Sequence, residues 1–357
     1  MTVPPLPQID SALVAAHQRA HEMLAAMHND VPADVVQLFR MQQRRLVVES
    51  LAYVQPAIAR PQQQLLIVPP RSFLTAAQQR RMMGAKAAFR HIDSRVAMLH
   101  QGHIEQVVNA ASPVVLHALV ESSAPTIEKE TNPGMFRSMA TSWLPEINGF
   151  AHPPATMVEE LVEAALHMAN HADAPACARA AWLTFTMLAI HPFVDGNGRT
   201  SRALYMAVLA PSLPLGIDWA ALEQWSVWRD DYIYALQAGQ DMEHYDPTKM
   251  TAAPFITFAT RASIAGADLC KDRLEFIATY VEARVRDGVP RPHAIVLTTV
   301  SMWGIATLAE LAECALPAAD IDEIVGQLLT GGKLRWMPRP HSRRTFERPE
   351  PFGLIVV

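Results

Sequence analysis

Apolar side chains recur every three or four residues through most of the chain, which predicts a mainly helical fold. The first such stretch covers residues 9–55, where Leu13, Met23 and Met27 have near-helical spacing. A proline-containing stretch over residues 56–70 interrupts it. Further helices are predicted over residues 76–98, 105–120, 157–171, 174–190, 219–238 and 251–283, with another that begins near Gly198.

Proline and glycine mark the connections between these helices. Asp173 is the predicted N-cap of the helix over residues 174–190, and Pro175 is expected in its first turn. The stretch 122–134 ends in Asn-Pro-Gly, which is typical of a turn. Residues 141–154 contain aromatic residues and helix breakers without helical periodicity. That composition favours a short hairpin-like loop.

The chain has 357 residues, which is long enough for two or three domains. Residues 284–293 are charged and proline-rich, so they form the predicted linker. Two short helices, over residues 307–314 and 321–329, are expected before a basic, strand-like end, which is the outline of a winged-helix module. The predicted domains are therefore a helical N-terminal extension over 1–114, a core over 115–283 and a winged-helix-like module over 294–357.

Composition excludes several classes of protein. Half of the residues are hydrophobic, which excludes wholesale disorder, and only 15 are glycine, which argues against a turn-dense β fold. The net charge of −5 gives no global basic character for nucleic acid. Three widely spaced cysteines, no signal peptide at the N-terminus and no apolar run long enough to cross a bilayer predict a soluble, cytoplasmic protein.

The strongest chemical signal is a twelve-residue segment from His191 to Arg202, HPFVDGNGRTSR, which joins two apolar helices. Its Gly-Asn-Gly permits positive φ at successive positions, so backbone N–H groups can turn inward and bind an anion. The turn leads into a predicted helix N-terminus, which also favours anions. Arg199 and Arg202 are three residues apart on one face of the first turn, which makes polyphosphate a fitting anion.

Three other side chains of this segment have candidate roles. Asp195 is a candidate Mg²⁺ ligand, because Mg²⁺ usually takes one or two carboxylates together with phosphate oxygens and water. His191 titrates near neutrality and can accept a proton from an attacking hydroxyl. Phe193 is expected to point into the core and fix the loop. Each feature alone is common in an ordinary turn, but their combination within twelve residues favours a nucleotide site.

This segment resembles the signature of the Fic (Fic/Doc) family, His-x-Phe-x-(Asp/Glu)-Gly-Asn-Gly-Arg-x-x-Arg, at every fixed position. Residues 132–137, NPGMFR, are similar to the Pro-Gly-x-Phe-Arg at which the family's flap begins, and residues 152–154, HPP, are similar to the Pro-Pro that ends it. Residues 232–236, YIYAL, resemble a later core helix. The resemblance covers about residues 115–262.

The resemblance implies a helical core with a short β-hairpin flap, and transfer of AMP from ATP to a Tyr, Thr or Ser hydroxyl of a target protein with Mg²⁺. His191 is then the general base, and Asp195 holds the metal. The implied catalytic residues are His191, Asn197, Arg199 and Arg202; the implied ATP-binding residues are Phe193, Gly196, Asn197, Gly198, Arg199 and Arg202; the implied flap residues are Thr141, Ser142, Trp143 and Leu144. Tyr232 or Tyr234 is a further candidate for ATP binding, at the wall of the adenine pocket, although aromatic residues at such spacing are usually part of the core. The Doc branch, which phosphorylates, departs from the Gly-Asn-Gly-Arg spelling, so AMP transfer is favoured.

Many Fic proteins carry an inhibitory (Ser/Thr)-x-x-x-Glu-(Gly/Asn) helix whose Glu pairs with the last Arg of the signature. No Glu in this chain is followed by Gly or Asn. The candidate with the best position is Glu49, although Arg45 stands where the motif has Ser or Thr. Control by a regulatory partner or by homodimer formation is an equally open alternative.

Other readings have weaker support. Glu163, His167 and His171 have spacing that permits metal ligation, but a solvated helix face is favoured. A DNA-binding regulator with a nucleotide-sensing core is an alternative function, as is removal of AMP by the same site. The predicted recognition helix over residues 318–329 is acidic, which disfavours DNA and favours a protein partner. The basic residues of the predicted wing are Lys333, Arg335, Arg339, Arg343, Arg344 and Arg348.

Overall fold

The computed structural model describes residues 2–52, 76–122, 132–138, 151–216, 221–240, 244–304, 306–312, 318–338 and 351–357. Helices dominate these residues, as the sequence predicts. The helices are α1 (Ser11–Asp30), α2 (Ala33–Ala52), α3 (Ala76–His100), α4 (Ser112–Glu121), α5 (Val158–His171), α6 (Ala176–Ile190), α7 (Asn197–Leu209), α8 (Ala221–Val227), α9 (Arg229–Gln237), α10 (Ala253–Arg286), α11 (Arg291–Trp303), α12 (Leu308–Leu311) and α13 (Ala318–Thr330). Strands β1 (Leu334–Pro338) and β2 (Pro351–Val356) form an antiparallel pair.

Contacts divide the chain into two compact units. The first comprises Met1–Ala25, Val47–Ala57 and Thr75–Asp268, and the second comprises Ala26–Leu46, Ile58–Leu74 and Leu269–Val357. The two units reflect contacts between residues, whereas the predicted domain boundaries at residues 114 and 283 come from the sequence pattern, so the units do not test those boundaries. The three domains therefore stay a prediction.

The first unit is built around α6, which is buried on almost every side. Its sequence, ACARAAWLTFTMLAI, has one charged residue, so the helix has no polar face to present to water. Helix α6 packs against α5 and α7, while α7 also packs against α3 and α4. Arg179, the charged residue, donates hydrogen bonds to backbone carbonyls at Ala169 and Ala174. The loop between α6 and α7 is thus held between two buried helices.

The second unit contains α11, α13 and the strand pair, which pack on one another. An isolated bridge joins Ala306 to Leu354 of β2. The indole of Trp303 donates a 2.6 Å hydrogen bond to Gln42, and the guanidinium of Arg45 lies 4.0 Å from the Trp303 ring centroid. This order of helices and hairpin is the one expected of the C-terminal module, whose assignment as a winged helix stays a prediction. Most of the predicted basic wing lies in residues 339–350, outside the described residues.

Three local predictions were wrong. Helix α4 begins at Ser112 rather than at residue 105, because Pro113 lacks the N–H that a position inside a helix needs and is tolerated in the first turn. The N-cap of α6 is Pro175 rather than Asp173. Much of the predicted linker is helical, since α10 runs to Arg286 and α11 begins at Arg291.

The linker prediction failed because two of its charged residues have partners. Arg291 binds Asp34 at 2.6 Å and Glu282 at 2.7 Å. Arg284 donates to Tyr280 and Ser301. Charge in this stretch therefore marks ion pairs and hydrogen bonds within the second unit rather than a solvated connection.

No described helix is long and apolar enough to pass through a bilayer. Of the three cysteines, Cys177 and Cys270 are buried free thiols, and Cys314 lies outside the described residues.

Candidate active site

The His191–Arg202 segment forms a tight loop that ends α6 and begins α7. His191 follows α6 with φ 53° and ψ 60°, and no other non-glycine residue among those described has positive φ. Its N–H still donates to the Met187 carbonyl at 2.9 Å. A left-handed conformation costs a non-glycine residue about 1–3 kcal/mol, and residues held in this way cluster at functional sites. The strain therefore marks His191 independently of any motif.

The His191 imidazole is neutral at physiological pH. It lies beside the His152 ring, with 4.4 Å between the centroids. Burial, and then the neighbouring His152 and Arg137, lower the pKa of His191 to about 3. A neutral imidazole keeps a nitrogen lone pair that can accept a proton, which a protonated one does not.

Arg137 connects the start of the predicted flap to the end of α6. Its guanidinium is buried, and Nε donates to the His191 carbonyl at 2.8 Å. Nη2 donates to the carbonyls of Pro153 and Ile190, and the Arg137 N–H donates to the Pro192 carbonyl at 2.9 Å. The backbone around the candidate base is therefore held by several charge-assisted hydrogen bonds.

Asn197 and Phe193 fix the interior of the loop. The Phe193 N–H donates to Asn197 Oδ1 at 2.9 Å, and Asn197 Nδ2 donates to the Phe193 carbonyl at 2.7 Å. The Phe193 ring is fully buried, as expected. The Asn197 amide is thus engaged in shaping the loop, and its expected contact with phosphate stays a prediction.

His117 of α4 packs against the loop and binds its backbone. The Gly134 N–H donates to its Nδ1 at 2.9 Å, so Nε2 carries the proton and donates to the Asp195 carbonyl at 3.0 Å. Its ring stacks on Phe193. Burial lowers the pKa of His117, which keeps the ring in the neutral form that these two bonds require. One side chain thereby joins the turn at Gly134 to the signature loop.

Gly196 is the N-cap of α7 and has φ +80°. A Cβ at this position would lie 2.6 Å from Glu121 Oε1 and 3.1 Å from His117 Cδ2. Only glycine therefore adopts this backbone conformation readily and also fits the narrow space between the loop and α4. The N-terminus of α7 begins here, and its first N–H groups have no partner within the helix.

Asp195 has a half-exposed side chain on the outer side of the loop. Oxygen donors suit Mg²⁺, which readily takes one carboxylate when a substrate phosphate and water complete its shell. In the part of the chain that is described, no group of three or more His, Cys, Asp or Glu side chains could hold a metal by itself. The residues present thus fit a Mg²⁺ ion that arrives with phosphate. They also leave the alternative site at His167 and His171 without a third ligand.

The two signature arginines have different partners. Arg199 Nη2 lies 2.5 Å from Glu121 Oε1, and Nη1 donates to the Val120 carbonyl at 3.4 Å. Arg202 donates to the Leu51 carbonyl from Nε at 3.2 Å and from Nη2 at 2.8 Å. Both side chains are buried, and each binds at the C-terminal end of another helix, where the helix dipole favours a cation.

Arg202 retains a charge without a carboxylate partner in these bonds. Burial lowers its pKa to about 10, so it stays protonated near neutral pH. A Cβ added at Gly198 would lie 3.3 Å from Arg202 Nη1, which shows that this nitrogen faces the Gly-Asn-Gly turn. Arg202 therefore offers a cation next to the N-terminus of α7.

Other predicted site residues have different surroundings or lie outside the described residues. The Tyr232 ring packs among Trp225, Phe255 and Phe258. Burial raises the pKa of the Tyr232 phenol and the nearby Arg202 opposes that shift, so Tyr232 lies within electrostatic range of the signature arginine and its ATP-binding role stays a prediction. Glu49 is half-buried in α2, two residues before the Leu51 carbonyl that Arg202 binds, and its expected pairing with Arg202 stays a prediction. The predicted flap residues Thr141, Ser142, Trp143 and Leu144 lie outside the described residues.

Sequence reasoning missed His117 and Glu121. Both lie on α4, whose other residues are mostly apolar, and they are four positions apart, which places them on one helix face. Both are buried. A polar pair on one face of an apolar helix is the signal that could have identified them, since buried polar groups require partners.

Comparison with known proteins adds independent support. The model of the Fic/DOC family matches residues 116–209, which include the last six residues of α4, the loop and α7. A search of curated proteins finds no match. A Fic family protein from Desulfovibrio desulfuricans has a similar structure, with TM-score 0.52, 15% identity, and 99% of this chain and 98% of that chain covered.

Two further solved structures share the fold. A fragment of Fic-1 from C. elegans has TM-score 0.50 and 18% identity, with 74% of this chain and 73% of that chain covered. A Fic domain containing signaling protein from Bacteroides thetaiotaomicron has TM-score 0.50 and 12% identity, with 72% of this chain and 98% of that chain covered. Identities this low support a shared fold and no more, whereas the family match includes residues 191–202, which carry the signature. Residues 116–209 therefore form a Fic/DOC family domain, in a mainly helical fold of the kind that Fic family proteins have.

Proposed function

We propose that this protein is an adenylyltransferase that transfers AMP from ATP to a Tyr, Thr or Ser hydroxyl of a target protein. The observation that carries the proposal is the composition of one rigid loop. It holds a neutral, strained His191 at one end, and at the other the N-terminus of α7 with the Arg202 cation beside it. A base and an anion site so close in the chain suit attack by a hydroxyl on a bound phosphate.

The reaction requires one proton acceptor and one in-line displacement. A ring nitrogen of His191 takes the proton of the target hydroxyl while that oxygen forms a bond to the α-phosphorus. The bond between the α-phosphorus and the oxygen that bridges to the β-phosphate breaks, and pyrophosphate leaves. ATP brings negative charge next to His191, which favours the protonated imidazole and raises its pKa above the value of the free protein.

The other residues of the loop act by binding and charge. The backbone at Gly196 and Gly198 binds phosphate oxygens at the N-terminus of α7. The Gly196 N–H donates to Asp195 Oδ1 at 2.6 Å in the free protein, so it exchanges that acceptor for phosphate when ATP binds. Arg202 compensates the charge that develops on the leaving pyrophosphate. Asp195 holds Mg²⁺, which supplies charge neutralisation and orientation of the phosphates when bound. Asn197 and Phe193 keep the loop in shape, and the residues from Thr141 to Leu144 align the target segment.

Labelled ATP distinguishes AMP transfer from phosphorylation. The purified chain is incubated with Mg²⁺, a lysate and ATP labelled at the α- or the γ-phosphate. Label from the α-phosphate alone is expected on protein, and it should disappear in His191→Ala. His167→Ala, on the exposed face of α5, is the matched control and should label like the wild type. Label from the γ-phosphate, or undiminished labelling in His191→Ala, contradicts the proposal.

The remaining expectations belong to the same proposal. We expect the protein to act in the cytoplasm, where a reducing environment keeps the buried Cys177 and Cys270 as free thiols. Its partners are then ATP and a target protein with an accessible hydroxyl.

A further inference from the structure

Side chains at the start and at the end of the predicted flap cap the C-terminal end of α6. The last four carbonyls of a helix have no N–H partner within it. At the end of α6, the Ala189 carbonyl accepts a hydrogen bond from His152 Nδ1 at 3.0 Å. The Ile190 carbonyl accepts one from Arg137 Nη2 at 3.3 Å, and the His191 carbonyl accepts one from Arg137 Nε at 2.8 Å. Residues outside α6 therefore hold the helix end that carries the candidate base.

Two contacts orient the ring of His191. Burial lowers the pKa of His191, and a hydrogen bond from its ring to the Leu188 carbonyl acts against that shift. This bond restrains one nitrogen of the ring. The second contact is with the ring of His152, whose centroid lies 4.4 Å from that of His191 with 32° between the planes. Because a single hydrogen bond still lets a ring swing about it, the packed His152 ring is what keeps the plane of His191 in place.

His152 is itself fixed by a hydrogen bond. Its Nδ1 carries the proton that the Ala189 carbonyl accepts, so Nε2 of the neutral ring bears a lone pair. Burial lowers the pKa of His152, which favours this neutral form. Nε2 is buried and has no hydrogen-bond partner among the described residues. Since an unpaired buried acceptor costs about 1–3 kcal/mol, filling space alone does not account for a histidine at this position.

We infer that His152 is a positioning residue that keeps the ring of His191 in the orientation required for proton transfer. The Leu188 carbonyl takes up one ring nitrogen of His191, and the packed His152 ring holds the other towards the target hydroxyl. This inference rests on the proposed function, because that hydroxyl belongs to the target protein. A displacement of a reacting group by about 1 Å can lower a rate by about 100-fold. Loss of the His152 ring should therefore slow the transfer step without weakening ATP binding.

The orientation of His191 can be measured without ATP or a target. The full chain is labelled with ¹⁵N in its histidines, and NMR spectra at neutral pH identify which ring nitrogens carry a proton. The His191 signals are those that disappear in His191→Gln. In the wild type we expect two well-separated signals, from one protonated and one bare nitrogen. In His152→Ala the ring is free to turn and the proton to exchange between the nitrogens, so the two signals should move together.

His152→Phe and His167→Ala are the comparison variants. A phenyl ring retains the packing against His191, so His152→Phe should keep the two signals further apart than His152→Ala does. His167 lies on the exposed face of α5, and His167→Ala should leave the His191 signals unchanged. Thermal unfolding verifies that each variant is folded. If His152→Ala does not fold, His152→Asn, whose amide can still donate to the Ala189 carbonyl, takes its place and is expected to show the same change.

The rate of AMP transfer provides the second readout, with the same lysate and α-labelled ATP as above. His152→Ala should lower the rate of labelling at saturating ATP by about tenfold or more and change the half-saturating ATP concentration by less than about twofold. His152→Phe should recover part of the lost rate. A large rise in the half-saturating ATP concentration would place the damage in nucleotide binding and overturn the inference.

The outcomes separate this inference from the proposed function. If the wild type attaches no α-phosphate label to protein, the proposed function is contradicted, whereas the NMR comparison still decides whether His152 orients His191. If the wild type transfers AMP but His152→Ala leaves either the His191 signals or the rate unchanged, only the role of His152 is overturned. Merged His191 signals in the wild type, or a His152→Phe variant no different from His152→Ala, likewise overturn it.

Discussion

The imidazole of His117 stacks on the ring of Phe193, with 3.8 Å between the centroids and 4° between the planes. Both side chains are buried, and they come from a helix and a loop that are far apart in sequence. The same imidazole binds one backbone group on each side, at Gly134 and at Asp195. The shape of the candidate active loop therefore depends on α4 as much as on its own residues.

Replacing His117 with Phe tests this dependence. A phenyl ring keeps the stacking on Phe193 but leaves the Gly134 N–H and the Asp195 carbonyl without their hydrogen-bond partner. We expect the free energy of unfolding to fall by about 2 kcal/mol, because both groups are partly buried and a fully buried group left without a partner costs about 1–3 kcal/mol. Urea unfolding followed by circular dichroism measures the change.

The matched control for this substitution is His167→Phe on the exposed face of α5. A surface substitution there should change the free energy of unfolding by no more than about 0.5 kcal/mol. If His117→Phe lowers the free energy of unfolding by as little as this control does, the two hydrogen bonds of His117 do not hold the loop in place.

Gly196→Ala should destabilise the protein more than its backbone conformation alone explains. The residue has φ +80°, and an added Cβ would lie 2.6 Å from the Glu121 carboxylate. Gly102 has φ +74° with nothing within 4 Å of an added Cβ, so Gly102→Ala measures the conformational term by itself. We expect about 1 kcal/mol for Gly102→Ala and about 2 kcal/mol or more for Gly196→Ala. If urea unfolding shows that both substitutions lower the free energy of unfolding by the same amount, the Glu121 carboxylate moves to make room for the added methyl group.

The sequence predicted the position of the loop well because its residues are contiguous. Its backbone was predicted only in part, since Gly196 has positive φ but Asn197 and Gly198 already belong to α7, and the positive φ of His191 was not expected. The helices were predicted for the same reason, since periodicity is a local property. Predicted helix boundaries were wrong where a single residue determines where the helix begins, as Pro113 does for α4.

The partners of the loop could not be predicted in this way. Glu121 is separated from Arg199 by more than seventy positions, and Leu51 from Arg202 by 151. Such pairs form only when the helices have packed, so no pattern within either segment identifies them. Glu49 illustrates the difficulty. Glu49 lies on α2, the helix to which Arg202 binds, but the observed acceptor is the Leu51 carbonyl two residues later. Side-chain motifs do not predict which backbone carbonyl accepts a hydrogen bond.

Substitution at Arg202 and Glu49 should therefore have unequal effects on ATP. Arg202 faces the Gly-Asn-Gly turn and keeps its charge, so Arg202→Ala is expected to weaken ATP binding by about tenfold or more, as for loss of a charge-assisted hydrogen bond. Glu49→Ala leaves the Leu51 carbonyl in place and should change ATP affinity by less than about twofold. Calorimetric titration with ATP measures both.

Labelling by the Glu49→Ala variant provides the complementary measurement. An inhibitory side chain would release activity when it is removed, so a strong rise in AMP transfer would restore Glu49 to the inhibitory role that its position in α2 first indicated. Unchanged labelling would leave control to a partner or to homodimer formation.

Acid should destabilise the first unit through a buried histidine pair that is separate from the candidate active site. His17 and His21 of α1 each lie at hydrogen-bond distance from the Ser263 hydroxyl, at 2.9 and 3.0 Å, and their rings are 4.6 Å apart. Burial lowers the pKa of His17 to about 4; burial, followed by the nearby His17, lowers that of His21 to about 3.

The sign of the effect follows from where protons bind first. In the unfolded chain a histidine takes up a proton near pH 6.5, whereas these two stay neutral in the folded state until pH 4 or below. Between these values the unfolded state binds more protons, so the free energy of unfolding falls as the pH falls, by up to about 1.4 kcal/mol per pH unit for each histidine. Urea unfolding at pH 7 and at about pH 5 measures this slope. His21→Gln keeps a polar side chain opposite Ser263 but cannot ionise, so its slope should be smaller than that of the wild type, and an unchanged slope would assign the acid sensitivity to other groups.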